Sequence, residues 1–182
     1  AFIENLIREM GSFDEEILKI DPKKTLFRIY RDVRFSKDKS PYKTNMGAAL
    51  GMGKGSQKAG YYLHVEPGKS FLAAGIYMPN SSDLKTIRKE ISLYSDDFLK
   101  VINDKNFKSL FIALDQEDQL KKIPQGFEKE DPMAEFLKLK NFNVLYSLND
   151  EDLMKKEAPK KFAEIFKAAK PLNDFLNRAL EF

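Results

Sequence analysis

The sequence predicts an α+β fold, in which a mostly antiparallel sheet with a central hairpin packs against several helices. Two strand-like runs flank Pro67-Gly68 in the segment GYYLHVEPGKSFLAAGIYMP, which favours a hairpin. The remaining helical and strand patterns lack the regular alternation expected of the βαβ units in a parallel sheet. A chain of 182 residues suffices for one sizeable domain and is short for two, so we expect residues 1–182 to form a single domain.

The first third of the chain predicts a helix, a strand and a loop. Apolar residues recur at helical spacing from the N-terminus, and the helix is expected to end near Gly11. Residues 25–35 alternate as a strand would. One face of this strand is expected in the core and carries Phe27, Ile29, Val33 and Phe35. Residues 36–60 include five of the nine glycines, which predicts a polar, glycine-rich connector.

The second part of the chain predicts mainly helices. Pro-Gly favours a type II turn at residues 67–68, which suggests a hairpin with a longer loop or a bulge. Ser81 or Ser82 can cap one helix and Ser95 another. The other predicted elements are a strand at 107–114, a helix from Asp131-Pro132 to Lys140, a strand at 142–147 and a long helix from Pro159. Pro171 lies inside the last helix and should kink or divide it.

Composition excludes several classes of site. The chain has no Cys, which removes disulfides, thiol catalysis and zinc-thiolate centres, and it has one histidine, His64. No apolar run approaches the roughly 20 residues that cross a bilayer, and residues 1–10 carry charges that a signal peptide core lacks. We therefore expect a cytoplasmic protein with no membrane contact, no metal and no cofactor.

Positive charge is concentrated in one part of the chain. Residues 19–60 hold eleven Lys or Arg against three Asp, a balance of +8, so the rest of the chain carries −5 within a net charge of +3. The densest stretch runs from Arg28 to Lys43. Such a concentration indicates an anionic ligand more strongly than the overall charge does, although a solvated basic face has the same composition.

The arginines of this stretch are too many for the nearby carboxylates. Same-face residues of a strand lie roughly 6.6 Å apart, so Asp32 reaches Arg34 and cannot neutralise every guanidinium. Arg31 falls on the apolar strand face, where it must snorkel, pair internally or line a pocket. Three interpretations follow: a structural ion-pair network, an anion-binding pocket, or a diffuse nucleic-acid surface.

The same stretch resembles the hallmark of a bacterial and fungal family known as a conserved domain of unknown function. The family pattern is R-x-x-R-D-x-R-F-x-x-D/N-K-x-x-Y, and it is matched by Arg28, Arg31, Asp32, Arg34, Phe35, Asp38, Lys39 and Tyr42. The resemblance continues through the hairpin segment and LKKIPQGFEKEDPMAEFLKLKNF. Family members usually begin with an aromatic-rich segment that this sequence does not show. The resemblance supports the fold and implies no particular chemistry.

The leading functional hypothesis is that the basic stretch binds an anionic or phosphorylated small molecule, and an enzyme is one form of this hypothesis. The predicted ligand-binding residues are Arg28, Arg31, Asp32, Arg34, Asp38, Lys39, Tyr42 and Lys43. Arginine suits this role because its guanidinium binds carboxylate or phosphate in a bidentate manner. The alternative is a nucleic-acid or protein interaction module that uses the same basic face, and the sequence does not define an oligomeric state.

Three further features are weaker candidates. His64 shares a strand face with Tyr62 and Glu66, so it is a possible general base oriented by a carboxylate, although a packed histidine is the commoner case. The small residues 73–75 leave room for a ligand or, more commonly, for a closely packed helix. The glycine-rich residues 51–56 fail the spacing of phosphate-binding and dinucleotide-binding loops, so we expect them to form a mobile loop.

Overall fold

The computed structural model describes residues 1–30, 34–35, 37, 39–51 and 58–181. Within these residues the chain has an α+β fold, as predicted, with a four-stranded antiparallel sheet whose strands lie in chain order. The strands are β1 (Met46–Leu50), β2 (Gly60–Val65), β3 (Phe71–Ile76) and β4 (Phe142–Ser147). The predicted hairpin and the predicted strand at 142–147 are therefore confirmed.

The helices account for most of the remaining regular structure. They are α1 (Phe2–Met10), α2 (Pro22–Thr25), α3 (Ser81–Leu93), α4 (Ser95–Ile102), α5 (Lys105–Leu110), α6 (Ala134–Leu137), α7 (Asp150–Met154) and α8 (Ala158–Leu180), with a 3-10 turn at Glu15–Lys19. Asn80 caps α3 by accepting from the amide of Asp83 at 2.9 Å, one residue before the predicted serine caps. None of the helices in the described part of the chain has the length and apolar character that a bilayer crossing requires.

The hairpin between β2 and β3 turns through the predicted Pro67-Gly68 pair. The amide of Lys69 donates to the carbonyl of Glu66 at 2.9 Å, and Gly68 has a φ of +71°. Proline followed by a residue of positive φ is the signature of a type II turn. The connection spans five residues, which is the longer loop that this turn type requires.

One face of the sheet packs on α8 and forms the core. The buried residues of this face include Tyr61, Leu63, Leu72, Ala74 and Val144. Tyr61 lies with its ring centroid 5.1 Å from that of Phe166 in α8, and α1 packs on the same helix. Because strand residues alternate between faces, their neighbours in sequence lie on the opposite side of the sheet.

The predicted strand at 25–35 is wrong for the residues of this range that the structure describes. Asp21 caps α2 by accepting from the amide of Lys23 at 3.0 Å, and Pro22 occupies the first helical position, so residues up to Thr25 are helical. Beyond them the chain makes isolated bridges, Leu26 to Ala48 and Tyr30 to Tyr42. The supposed core face is exposed, at 43% for Phe27, 49% for Ile29 and 95% for Phe35, whereas Arg31 and Val33 lie outside the described residues.

Two other segments also differ from prediction. Strand β1 lies within residues that were predicted to form a connector. Gly-Ala-Ala has weak strand propensity, so the sequence pattern did not indicate a strand, and pairing with β2 stabilises it. The predicted strand at 107–114 begins as helix α5. Asp104 caps this helix by accepting from the amides of Asn106 and Phe107 at 2.9 and 3.0 Å, and the rings of Phe107 and Phe111 pack one helical turn apart, at 5.0 Å.

Helix α8 is not divided at Pro171. It runs without a break from Ala158 to Leu180. Pro171 lies on the exposed side of the helix, where water can bond the carbonyl that loses its amide partner. The opposite side buries Phe162, Phe166, Leu172 and Leu176, and this packing holds the helix together on both sides of the proline.

Candidate functional site

The basic stretch forms an exposed arm beside the edge of the sheet. We call the described residues within 26–43 the basic arm. The amide of Phe27 donates to the carbonyl of Gly47 at 3.0 Å, and the amide of Lys43 donates to the carbonyl of Ile29 at 2.8 Å. The first bond attaches the arm to β1, the second joins the two ends of the arm to each other, and every described residue of the arm is exposed.

The predicted ligand-binding residues fall into two groups. Arg28, Arg34, Lys39, Tyr42 and Lys43 lie on the basic arm and are exposed. Arg31, Asp32 and Asp38 lie outside the described residues, so their part in ligand binding stays a prediction. Within the described part of the chain, no ion pair involves Arg28, Lys37 or Lys43.

Aromatic side chains accompany the charges on the arm. The rings of Tyr30 and Tyr42 lie 5.5 Å apart, and the two side chains are 61% and 56% exposed. The guanidinium of Arg34 lies 5.9 Å from the ring centroid of Phe35. Flat rings and guanidinium groups are thus presented together on the surface, an arrangement that suits planar anionic ligands.

The sheet face opposite α8 carries two of the weaker candidates from the sequence, His64 and the small residues at positions 73 and 75. Strand register places its side chains in three rows: Gly60, Gly75 and Asn143; Ala49, Tyr62, Ala73 and Leu145; Gly47, His64, Phe71 and Ser147. Small residues in the first two rows leave space above the strands, and a cavity of about 550 Å³ lies there. Residues 73–75 all line this cavity, although Ala74 lies on the core face of the sheet and is 3% exposed. The favoured interpretation of these residues, a closely packed helix, is therefore wrong for Ala73 and Gly75.

A hydrogen-bonded chain of three side chains crosses one end of this face. His64 Nε2 lies 3.1 Å from Glu66 Oε2, and its Nδ1 lies 3.2 Å from the hydroxyl of Tyr62. A carboxylate only accepts, so in the neutral imidazole Nε2 donates to Glu66 and Nδ1 accepts from Tyr62. Burial raises the pKa of Tyr62, which keeps its hydroxyl protonated as this donor role requires.

The position predicted for His64 is confirmed, and its catalytic role stays a prediction. It shares its strand face with Tyr62 and Glu66, and Phe71 lies directly across from it with the two rings stacked 4.7 Å apart. Gly47 leaves room for the hydroxyl of Tyr62, because a Cβ at position 47 would lie 2.5 Å from the hydroxyl oxygen. The arrangement can orient an imidazole for proton transfer.

The basic arm and the cavity meet at Phe27. Its ring packs edge-on against Tyr62 at 6.0 Å, and both rings line the cavity. The alternation of Gly60, Tyr62 and His64 with Phe71, Ala73 and Gly75 was a signal for this face in the sequence. Asp115 and Glu117 also line the cavity, but the sequence holds no signal for this, because tertiary packing alone brings them there.

The fold and this surface define an α+β protein with one covered and one open sheet face, and with a basic arm at the sheet edge. The chain belongs to the family described as conserved hypothetical protein (DUF2461), whose profile matches residues 1–175. This match confirms the resemblance at the level of the family. No curated protein and no solved structure matches the chain at a significant level.

Proposed function

We propose that the basic arm binds an anionic ligand, with phosphate as the most suitable group. The carrying observation is the set of exposed basic side chains at Arg28, Lys37 and Lys43, which have no ion-pair partner in the described part of the chain. Residues 28–43 contain six Lys or Arg and two Asp, so the carboxylates of this stretch alone cannot neutralise its positive charge. Arginine and lysine are the usual partners of phosphate oxygens in proteins.

The same chemistry admits a free phosphorylated molecule or the phosphates of a nucleic acid. The exposed pair Tyr30–Tyr42 and the exposed ring of Phe35 supply stacking surfaces for bases in either form. The proposal assumes a cytoplasmic location, where both kinds of ligand occur. An enzymatic form of the proposal uses His64, whose ring Glu66 orients, as the acid or base.

Binding measurements with defined probes test this proposal. Titration calorimetry with pyrophosphate and ATP measures small anions, and fluorescence anisotropy with a labelled single-stranded oligonucleotide measures a polyanion. The double variant Arg28→Ala/Lys43→Ala is expected to lose about tenfold in affinity for the ligand that binds, since it removes two charge-assisted contacts. Lys85→Ala/Lys89→Ala, which removes two exposed charges from α3, is the matched control and should bind normally.

Salt dependence separates the two sources of phosphate. For an oligonucleotide, each phosphate contact contributes about 0.7 to the slope of log affinity against log salt, so the arm variant should reduce the slope by about 1.4. Tight binding of pyrophosphate or ATP with a shallow slope assigns the arm to a small molecule. Failure of all three probes to bind at low salt would exclude the proposal in both forms.

A further inference from the structure

The cavity on the open sheet face has the size and the walls of a small-molecule site. Phe27, Tyr62 and Phe71 form one continuous aromatic wall, with centroid distances of 6.0 Å for both neighbouring pairs. Gly60 and Gly75 pair across β2 and β3 and place no side chain in the cavity. The volume of about 550 Å³ lies within the range of about 300–1,000 Å³ that is typical of such sites. A flat ring of a ligand therefore has room to lie against the wall.

Asn143 presents an unused hydrogen-bond donor to this cavity. It lines the cavity, is 6% exposed, and pairs with Gly75 across β3 and β4. Its side-chain oxygen Oδ1 is buried, so the accessible polar atom of this amide is the nitrogen Nδ2. Within the described part of the chain Nδ2 donates no hydrogen bond. Polar groups of buried side chains normally have partners, and an acceptor on a bound molecule, a carbonyl oxygen or a ring nitrogen, would supply one here.

The carboxylates of Asp115 and Glu117 make the cavity unsuitable for an anion. Both residues line it, and no Lys, Arg or His does so among the described residues. The amide of Asp115 donates to the carbonyl of Asn143 at 2.9 Å, which holds this segment beside β4. Ionised carboxylates only accept hydrogen bonds, so they favour N–H groups and repel phosphate. The part of a ligand that enters the cavity is therefore uncharged.

The basic arm is continuous with the aromatic wall. Phe27 belongs to both, and Arg28 follows it directly in the chain. The amide of Lys43 donates to the carbonyl of Ile29, two residues beyond Phe27, at 2.8 Å. Arg28 and Lys43 are exposed, and neither forms an ion pair within the described residues. An aromatic cavity and a cationic surface thus adjoin at one residue.

We infer that the cavity and the arm together bind a free nucleotide, with its base in the cavity and its phosphate on the arm. This inference rests on the proposed function, which it narrows to one class of ligand. The base stacks on the aromatic wall and accepts a hydrogen bond from Asn143 Nδ2, and its amino group donates to Asp115 or Glu117. The phosphate pairs with Arg28 and Lys43. Adenine, guanine and cytosine each carry acceptors and an amino group, whereas a phosphorylated sugar has no ring to stack.

The cavity suits the base better than the exposed pair Tyr30–Tyr42 does. These two rings are 61% and 56% exposed, and stacking on them satisfies no buried polar group. A base in the cavity stacks on aromatic rings and also gives Asn143 an acceptor. The two positions are distinguishable, because Tyr30 and Tyr42 line no part of the cavity.

Four probes titrated into the full chain separate the base from the phosphate: AMP, adenosine, ribose 5-phosphate and pyrophosphate. Backbone amides in ¹H–¹⁵N spectra report location and affinity. We expect AMP to shift Gly60, Gly75 and Asn143 in the cavity together with Ile29 and Lys43 on the arm. Adenosine should shift only the cavity group, and the two probes without a base only the arm group. AMP should bind at least about tenfold more tightly than adenosine or ribose 5-phosphate, because it makes both sets of contacts.

Variants test the assigned residues in opposite directions. Asn143→Leu removes the donor and Ala73→Leu fills the cavity, so each should weaken AMP and adenosine at least about tenfold and leave pyrophosphate unchanged. Arg28→Ala/Lys43→Ala should weaken AMP and pyrophosphate and leave adenosine unchanged. Asn106→Leu, at an exposed asparagine of α5, is the control and should bind all four probes normally. The amide spectra of the free variants show whether each remains folded.

The failure of this inference is distinguishable from the failure of the proposed function. If pyrophosphate shifts the arm but adenosine at about 10 mM, where fragments of this size are expected to bind, leaves the cavity amides unshifted, the inference is overturned and the proposed function stands. AMP shifts confined to Tyr30 and Tyr42, equal affinity for AMP and ribose 5-phosphate, or binding of an oligonucleotide without binding of AMP would also overturn it. If none of the probes binds, both are excluded.

Discussion

Replacing Asn143 by leucine should stabilise the protein. Asn143 is 6% exposed and its Oδ1 has no partner in the described residues. An unsatisfied buried polar group costs about 1–3 kcal/mol, and leucine has a similar volume and no polar atom. We therefore expect Asn143→Leu to raise the free energy of unfolding by about 1–2 kcal/mol. For a chain of this size the corresponding rise in Tm is about 2–8 °C.

Asn173 provides a matched comparison. It is 3% exposed and its Oδ1 also lacks a partner in the described residues, but its Nδ2 donates to the carbonyl of Gly60 at 3.1 Å. Asn173→Leu removes this hydrogen bond, so its free energy of unfolding should be unchanged or lower. Urea unfolding followed by circular dichroism measures both variants. A loss of more than about 1 kcal/mol in Asn143→Leu would refute the reasoning, because it would reveal a structural partner for that amide.

Two further predictions concern backbone packing and pH. Gly75 has a φ of +118°, and a Cβ there would overlap the carbonyl oxygen of Phe142, so Gly75→Ala should lower the free energy of unfolding by at least about 2 kcal/mol in urea titration; a change below about 0.5 kcal/mol would contradict this close approach. Burial, together with the neighbouring Asp14 carboxylate, raises the pKa of Tyr61. The unfolded tyrosine ionises near pH 10 and the folded one does not, so this contribution to stability is complete below about pH 10. It is lost above that pH with a slope of up to about 1.4 kcal/mol per pH unit. Tyr61→Phe should remove that slope, and an unchanged slope would assign the alkaline loss to other groups.

Elements whose side-chain period agrees with their packing were predictable from the sequence. Helix α8 buries Phe162, Phe166 and Leu176 along one stripe, and the hairpin carries both its alternation and its Pro-Gly turn. The prediction was wrong for the described residues within 25–35, because an alternating pattern gives a buried strand face only where another layer of structure packs on it. Phe27, Ile29 and Phe35 alternate correctly, but they lie on the basic arm at the sheet edge, where their side chains are 43%, 49% and 95% exposed.

The basic arm and the cavity also differ in how far the sequence predicts them. Arg28 and Lys43 were found from composition because their charge does not depend on the fold. The cavity depends on register, which pairs Gly60 with Gly75 and Gly75 with Asn143. It also depends on residues 115 and 117, which follow a helix that was predicted as a strand. Contacts made between distant segments leave no local pattern in the sequence.

The most direct test of the central claim is a ¹H–¹⁵N spectrum of the full chain titrated with pyrophosphate at low salt. Binding at the basic arm predicts shifts at the amides of Ile29, Tyr42 and Lys43, with Gly75 in the cavity unaffected. Shifts confined to other parts of the chain, or no shifts at all, would contradict the assignment of the arm as an anion-binding surface.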